Sequence, residues 1–337
     1  MLLPLLLLLE CIVLISLPRL GSIDAQKIQV GFYSTTCPQA ESIVKNVVSS
    51  AVSANRGLAA GLLRLQFHDC FVQGCDASVL IDSTPSTKGG AEKDAPPNKT
   101  LRGFEVIDAA KAQVEAKCPG TVSCADILAF ATRDAVVQVG GPRWDVPAGR
   151  RDGRISSAAE ATSSLPDPSF SINQLTQRFA AKGLSQDNMI TLSGKTHHLS
   201  SFQSHTIGVA HCKTFINRLY GFSSSADTDP SLDPTFAQSL KAQCPRENPN
   251  PNTVVSLDPT PNTFDNSYYS NLALGRGLLA SDELLFTDGS TTLNVALNSF
   301  FGSTWLQKFP DAMVKMSLIE VKTGSQGEIR KNCRRIN

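Results

Sequence analysis

Arg64-Leu65-Gln66-Phe67-His68-Asp69-Cys70-Phe71-Val72-Gln73-Gly74-Cys75-Asp76-Ala77-Ser78 decides how the rest of the chain is understood. Arg64 and His68 stand four residues apart in a leucine-rich helical stretch, so both project from one face at roughly 5–6 Å. An imidazole that moves a proton, beside a fixed cation that stabilises developing negative charge, is an acid–base pair. A buried ion pair with Asp69 would account for the same residues and remains open on these positions alone. The following residues weigh toward chemistry. Asp69, Asp76 and Ser78 place hard oxygen ligands around the segment between Cys70 and Cys75, and Gly74 permits a tight turn, which suits calcium. A solvated acidic turn is the competing explanation.

Outward from this stretch the chain is predicted to be helical. Upstream, Ile43, Val44, Val47, Val48, Ala51 and Val52 recur at helical spacing over 38–55, with Pro38 suited to the first turn. Residues 58–68 form the helix that carries Arg64 and His68. Residues 104–117 carry Phe104, Ile107, Ala110 and Val114 on one stripe. Ser123 is placed to cap a buried helix that runs to Val136 and stops at Gly140-Gly141-Pro142. Further helices are predicted over 171–182, 185–192, 206–219, 234–243, 265–274, 294–308 and 311–319. Strand signals are weak, 245–261 reads as a polar proline-rich loop, and no repeat or linker divides the chain. The expected fold class is all-α.

The 337 residues are 41% apolar and 18% charged, with a formal net charge of +1, which excludes a disordered tail and a collagen-like fibre. The near-neutral charge argues against nucleic acid as a partner. Residues 1–20 are almost pure leucine, isoleucine and valine. With Gly21-Ser22-Ile23-Asp24-Ala25 they read as a secretory signal peptide, 1–25, although a positive leading region is missing. A membrane anchor is disfavoured because Pro4 and Pro18 bound too short a span. The mature domain is then 26–337. Setting aside Cys11 leaves eight cysteines, Cys37, Cys70, Cys75, Cys118, Cys124, Cys212, Cys244 and Cys333. An even number in a secreted chain implies disulfides whose pairing sequence alone leaves open. Zinc is disfavoured, since no CxxC or finger-like Cys-His spacing occurs.

The run Arg-x-x-Phe-His-Asp-Cys-Phe-Val-x-Gly-Cys-Asp-Ala-Ser resembles the distal site of the secretory (class III) plant haem peroxidases. The resemblance extends along nearly the whole mature chain. It includes Gly31-Phe32-Tyr33, Cys37-Pro38, the stretch from Glu92 to Asn98, Arg102-Gly103-Phe104 and Val122-Ser123-Cys124-Ala125-Asp126. It continues through Gly149-Arg150-Arg151-Asp152, Leu165-Pro166, His205-Thr206-Ile207-Gly208, Phe264-Asp265-Asn266, Ser281-Asp282 and the segment from Gly324 to Arg330 before Cys333. It implies a two-lobed all-α fold with haem b between distal and proximal helices, four disulfides and two calcium ions.

Residue by residue, the resemblance implies that His68 is the distal acid–base, Arg64 its cationic partner and Asn98 the asparagine that orients it. His205 would be the axial ligand of the haem iron, supported by Asp282. Pro166 would line the site for phenolic donors. The disulfides would be Cys37–Cys118, Cys70–Cys75, Cys124–Cys333 and Cys212–Cys244, and Asp126 with Arg150 a buried ion pair. The first calcium would take Asp69, the Val72 and Gly74 carbonyls, Asp76 and Ser78, with Glu92 acting through water. The second would take Thr206, Asp258, Thr260, the Thr263 carbonyl and Asp265.

Three departures stand out. The family run Leu-Ser-Gly-(Ala/Gly)-His-Thr is interrupted here. Leu192-Ser193-Gly194 is followed by ten residues, 195–204, where one is expected. His197 and His198 therefore compete with His205, which is favoured because Thr206-Ile207-Gly208 follows it and Cys212 lies at the family's distance. His211 is expected to be structural. The insertion is expected to be translated intron or a gene-model error, which the transcript would decide. Second, the first aspartate of the second calcium pattern falls on Leu257, so Asp258 stands one residue late. Third, the sequon Asn98-Lys99-Thr100 has the proposed partner of His68 as its asparagine, so it is expected to carry no glycan.

The expected function is reduction of hydrogen peroxide to water with one-electron oxidation of phenolic donors. It would act in cell-wall phenolic chemistry, oxidative stress and peroxide catabolism, by a monomer with no nucleic-acid partner. The alternative is a catalytically impaired peroxidase-fold protein that binds calcium or the wall because 195–204 break the proximal helix. The signal, with no retention signal or hydrophobic extension after Cys333, predicts an extracellular, cell-wall destination.

Overall fold

The computed structural model describes residues 28–85, 87, 89–194, 205–247, 250 and 252–337. The expected signal 1–25, and 195–204 with His197 and His198, lie outside the described residues. Helix α1, Ala40–Ala54, buries Val44, Val48 and Val52 along one stripe. Helix α2, Leu58–Val72, is buried almost all round, as a helix without a polar face must be. It runs one turn beyond the predicted end at His68. Helix α3, Phe104–Lys117, has the predicted bounds. Helix α4, Cys124–Gln138, starts where Ser123 accepts the Asp126 N–H at 3.1 Å. The pairs α2 with α4, α1 with α4 and α1 with α3 pack together and form the first half of the molecule.

A short helix that the apolar pattern does not signal, α5 (Ala158–Ser164), packs against α2 and the turns Glu92–Asp94 and Pro96–Asn98. Helices α6, Ile172–Ala181, and α7, Gln186–Ser193, begin with reciprocal side-chain caps, Ser171 with Gln174 and Ser185 with Asn188.

The second half departs from the prediction at 206–219. No continuous helix forms there. Gly208 has φ +120°, which ends the helical path. Strand β1, Val209–His211, then pairs antiparallel with β2, Val254–Ser256, with Ala210 opposite Val255. A turn at Cys212–Thr214 leads into α8, Ile216–Leu219. The loop predicted at 245–261 therefore contains a strand, whose partner lies far away in sequence. The fold is helical with this one small sheet among the described residues.

Helix α9, Pro234–Gln243, matches its prediction and is capped by Asp233. Helices α10, Ser267–Ala273, and α11, Ala280–Thr287, follow; α11 is a further element that the apolar pattern does not signal. Helices α12, Thr292–Phe300, and α13, Gly302–Met316, correct the last two predictions. The break falls at Phe301, whose ψ of 65° is not helical, whereas Pro310 lies inside α13.

One large apolar core joins α1–α4 to α7, α10, α12 and α13. A second, smaller core gathers Phe215, Leu219, Leu240, Val255 and Leu278. The four disulfides are Cys37–Cys118, Cys70–Cys75, Cys124–Cys333 and Cys212–Cys244, the pairing implied by the resemblance. Asp126 and Arg150 form a fully buried pair at 2.7 Å. The Tyr33 hydroxyl donates to Asp126 and the Arg150 guanidinium donates to the Ser317 carbonyl, so the pair ties the N-terminal turn to the end of α13. Among the described residues no helix is long and apolar enough to cross a membrane.

Candidate active site

Helix periodicity sets the distal group. Arg64 and His68 lie one turn apart on α2, and Arg64 Nε donates to His68 Nε2 at 3.3 Å. The guanidinium is held by the Pro97 carbonyl at 2.8 Å and the Thr100 hydroxyl at 3.0 Å. On the other side of the ring, His68 Nδ1 lies 2.5 Å from Asn98 Oδ1. Asn98 Nδ2 donates to the Glu92 carbonyl at 2.8 Å, which fixes Oδ1 as the acceptor. His68 is therefore the tautomer with its proton on Nδ1 and a lone pair on Nε2. Asn98 is buried with both amide atoms engaged, which leaves no room for a glycan.

The sequence beyond α2 closes on itself. Gly74 has φ +88°, and a Cβ there would lie 2.5 Å from the Glu320 carbonyl oxygen, so no other residue fits. Ala77 is also left-handed, at φ 59°. Together these turns bring Asp69, Asp76, Ser78 and Glu92 into one buried region. Asp69 Oδ1, Ser78 Oγ and both Glu92 carboxylate oxygens are buried, and beyond a loose contact between Ser78 and Glu92 none has a hydrogen-bond partner among the described residues. Burial, then the charge of Asp76, pushes the Asp69 carboxyl well up; burial, then Asp69, does the same to Glu92. Lys322 pairs with Asp76 at 2.5 Å, a contact that the sequence does not signal. Unsatisfied hard oxygens with mutually repelling charges are a donor set that fits calcium. No three carboxylate, histidine or cysteine side chains converge on a metal position among the described residues. A site completed by a hydroxyl and the Val72 and Gly74 carbonyls does not require that.

The proximal group is assembled by tertiary contacts. His205 is fully buried and its Nδ1 lies 2.8 Å from Asp282 Oδ1 at the start of α11. Nδ1 lies within ion-pair distance of the carboxylate without hydrogen-bond alignment, and an imidazole beside a buried carboxylate fits an iron ligand. Tyr268 on α10, a residue outside the sequence-predicted site, also donates to Asp282 Oδ1, at 3.0 Å. The chain on either side of 195–204 is pinned: Thr206 N–H donates to the Gly194 carbonyl at 2.9 Å. With one residue in place of those ten, this would be an ordinary turn bond between residues three apart. His211 lies on β1.

The second oxygen cluster forms next to it. Thr206 Oγ1 meets the Asp265 carbonyl and carboxylate, and Thr260 Oγ1 lies 3.1 Å from Asp265 and 3.4 Å from Asp258. Leu257 points into the smaller core, so Asp258 is the side chain that reaches the cluster despite its shifted position. Its Oδ2 is buried without a partner among the described residues. Burial, with Asp265 adding to it, pushes its pKa to about 7. Pro166 is buried on the loop after α5, on the distal side.

This arrangement meets its counterparts in known proteins. The peroxidase family model matches residues 44–298. Peroxidase 5 of Vitis vinifera is 53% identical over 317 residues, 94% of this chain and 93% of the relative. The chain belongs to the secretory (class III) plant peroxidases. Peroxidase 3 of Arabidopsis thaliana is 50% identical over 93% of both chains. Peroxidase N1 of Nicotiana tabacum is 48% identical over 93% of this chain and 91% of its own. The protein is accordingly a peroxidase acting on hydrogen peroxide with phenolic donors, its family implies haem, and it belongs to a secretory class.

Proposed function

We propose that Arg64, His68 and Asn98 handle peroxide on one side of a haem held by His205 on the other. The observation that carries this is the tautomer of His68. Its Nε2 lone pair, which meets only the long 3.3 Å bond from Arg64 Nε among the hydrogen bonds described above, accepts a proton from peroxide, and the Asn98 carbonyl, by holding Nδ1–H, keeps that nitrogen basic. The proton then returns to the leaving oxygen as water. Arg64, pinned by Pro97 and Thr100, offsets the negative charge that develops as the O–O bond breaks. The haem, when bound, supplies the redox chemistry. Asp282 orients His205 and strengthens it as a donor. Pro166 helps to line the opening where phenolic donors give up electrons one at a time.

Calcium at Asp69, Val72, Gly74, Asp76, Ser78 and water-linked Glu92 would secure the distal side, since the Glu92 carbonyl holds Asn98 and Asn98 holds His68. A second calcium at Thr206, Asp258, Thr260, Thr263 and Asp265 would steady the residue after the axial ligand. The Gly194–Thr206 bond supports the active enzyme over the impaired alternative, because it keeps His205 where an uninterrupted chain would put it. We assign residues 1–25 as a signal and 26–337 as one peroxidase domain. We also assign a monomeric, cell-wall enzyme of phenolic oxidation and peroxide catabolism. Purified protein should show a Soret band and peroxide-dependent oxidation of a phenol. A Soret band without turnover would leave only the impaired protein, and no Soret band would remove both His205 and the activity.

A further inference from the structure

The chain has two tryptophans and four tyrosines. Both tryptophans and two of the tyrosines lie on one continuous line that starts at the axial histidine. The Tyr268 ring meets the His205 ring edge-on at a centroid distance of 5.2 Å. Tyr268 meets Tyr269 at 5.2 Å, and Tyr269 meets Trp305 at 5.6 Å. Phe309 then lies 6.0 Å from Trp305 and 5.8 Å from Trp144. Exposure rises only at the end of the line, from 0% at Tyr269 and Trp305 to 7% at Trp144, which sits between the exposed Arg143 and Asp145. Packing alone accounts for aromatic contacts in a core. It does not account for the carboxylate of Asp282, a proton acceptor placed on the Tyr268 hydroxyl at the start of the line.

From this line we infer that Tyr268, Tyr269, Trp305 and Trp144 form an internal electron relay, which refills the haem site from the protein when no phenol is present. The inference rests on His205 being the axial ligand. Hydrogen peroxide, the oxidant of the established activity, leaves with two electrons as water. Tyr268 replaces one of them. As its electron leaves, its phenolic proton moves along the 3.0 Å hydrogen bond to Asp282, which makes a neutral tyrosyl radical. An electron from Trp305 and the proton from Asp282 restore the phenol. Tyr269 donates to the Ile190 carbonyl, which cannot take a proton, so its ring serves as a bridge. Trp305, whose indole N–H is held by the Thr191 carbonyl at 3.2 Å, carries the hole as a cation radical. Phe309 bridges to Trp144, which gives the last electron. Trp144, the most exposed of the four at 7%, is the member of the line from which an N–H proton passes most readily to solvent, so the hole comes to rest away from the iron.

The test uses the haem-loaded full chain, frozen shortly after one equivalent of hydrogen peroxide without donor, and electron paramagnetic resonance with ring-deuterated tryptophan or tyrosine. The expected result is a radical whose hyperfine structure collapses with deuterated tryptophan and whose pattern changes in Trp144→Phe, where the hole stops at Trp305. In Tyr268→Phe the protein radical should be lost and the peroxide-oxidised absorbance spectrum should persist longer. Because Trp305→Phe risks the core, Trp144→Phe and Tyr268→Phe carry the decision. A radical unchanged in both variants, or one confined to Tyr33 or Tyr220 off the line, overturns the relay. So does the absence of any protein radical when the Soret band and its response to peroxide are normal. A missing Soret band would instead overturn the assignment of His205.

Discussion

The two faces of the candidate haem site are built by different means. On the distal side one helix carries Arg64, His68 and Asp69, and its 3.6-residue repeat alone aligns the first two. On the proximal side His205 lies outside any helix. It is held by Asp282 and by the bonds from Thr206 to Gly194 and Asp265. A side chain set by helix periodicity cannot shift without breaking the helix. One set by contacts at its flanks tolerates extra chain between them, provided that the flanks stay pinned. The inserted segment falls on the face able to tolerate it.

The sharpest way to break this comparison is to remove one histidine from each face. His205→Ala should abolish haem retention or change its spectrum entirely, read as loss of the Soret band at unchanged protein concentration. His68→Ala should keep the Soret band and slow the reaction with peroxide by about 10²–10⁴-fold, measured by rapid mixing, because a general base is typically worth that much. If both variants lost only stability, neither residue would have the role given to it.

Much of the distal face was legible because its residues are contiguous: Arg64 to Ser78 encode the helix, the turn and the buried side-chain oxygens in one run. The proximal face was less so. The reading of 206–219 as a helix failed because Val209–His211 pairs with Val254–Ser256, a contact no local pattern announces. The last two helices were split at Pro310 rather than Phe301. A proline inside a helix costs a hydrogen bond but can be tolerated, whereas Phe301 and Gly302 give no such obvious signal. Asp258 stands one residue late in the sequence pattern; its carboxylate lies beside Thr260, while Leu257 is drawn into the smaller core. Tyr268 was missed because its hydrogen bond to Asp282 joins two helices through tertiary packing.

Excision sharpens the same contrast. Replacing residues 195–204 by a single alanine should leave the Gly194–Thr206 bond intact as a turn bond. It should raise the stability of the haem-free chain by about 2 kcal/mol, the closure entropy that ten additional residues cost if they make no contacts of their own. Thermal unfolding of both forms measures it. A lower midpoint in the excised form would mean that the segment contributes contacts of its own, and that pinned flanks are not the whole account.

The smallest effect distinguishes the faces through the buried oxygen clusters proposed to hold calcium. Asp258 has its pKa pushed up to about 7 by burial, against about 3.9 for an unfolded aspartate. Without metal, the folded chain therefore holds a proton between those values that the unfolded chain has released, so this group's contribution to stability falls as pH rises through that window. Calcium reverses the preference, because it needs the carboxylate. Affinity at the proximal cluster should then weaken by about tenfold for each pH unit below 7, one proton being displaced. At the distal cluster both Asp69 and Glu92 are raised well above their ordinary values, so up to two protons compete and the slope should be steeper. Calcium titrations of the metal-free protein at pH values on either side of 7 read both slopes. Asp258→Asn should flatten the proximal one alone. If it flattened neither, Asp258 would not be a ligand, and the shifted aspartate would be a surface of the core rather than part of a metal site.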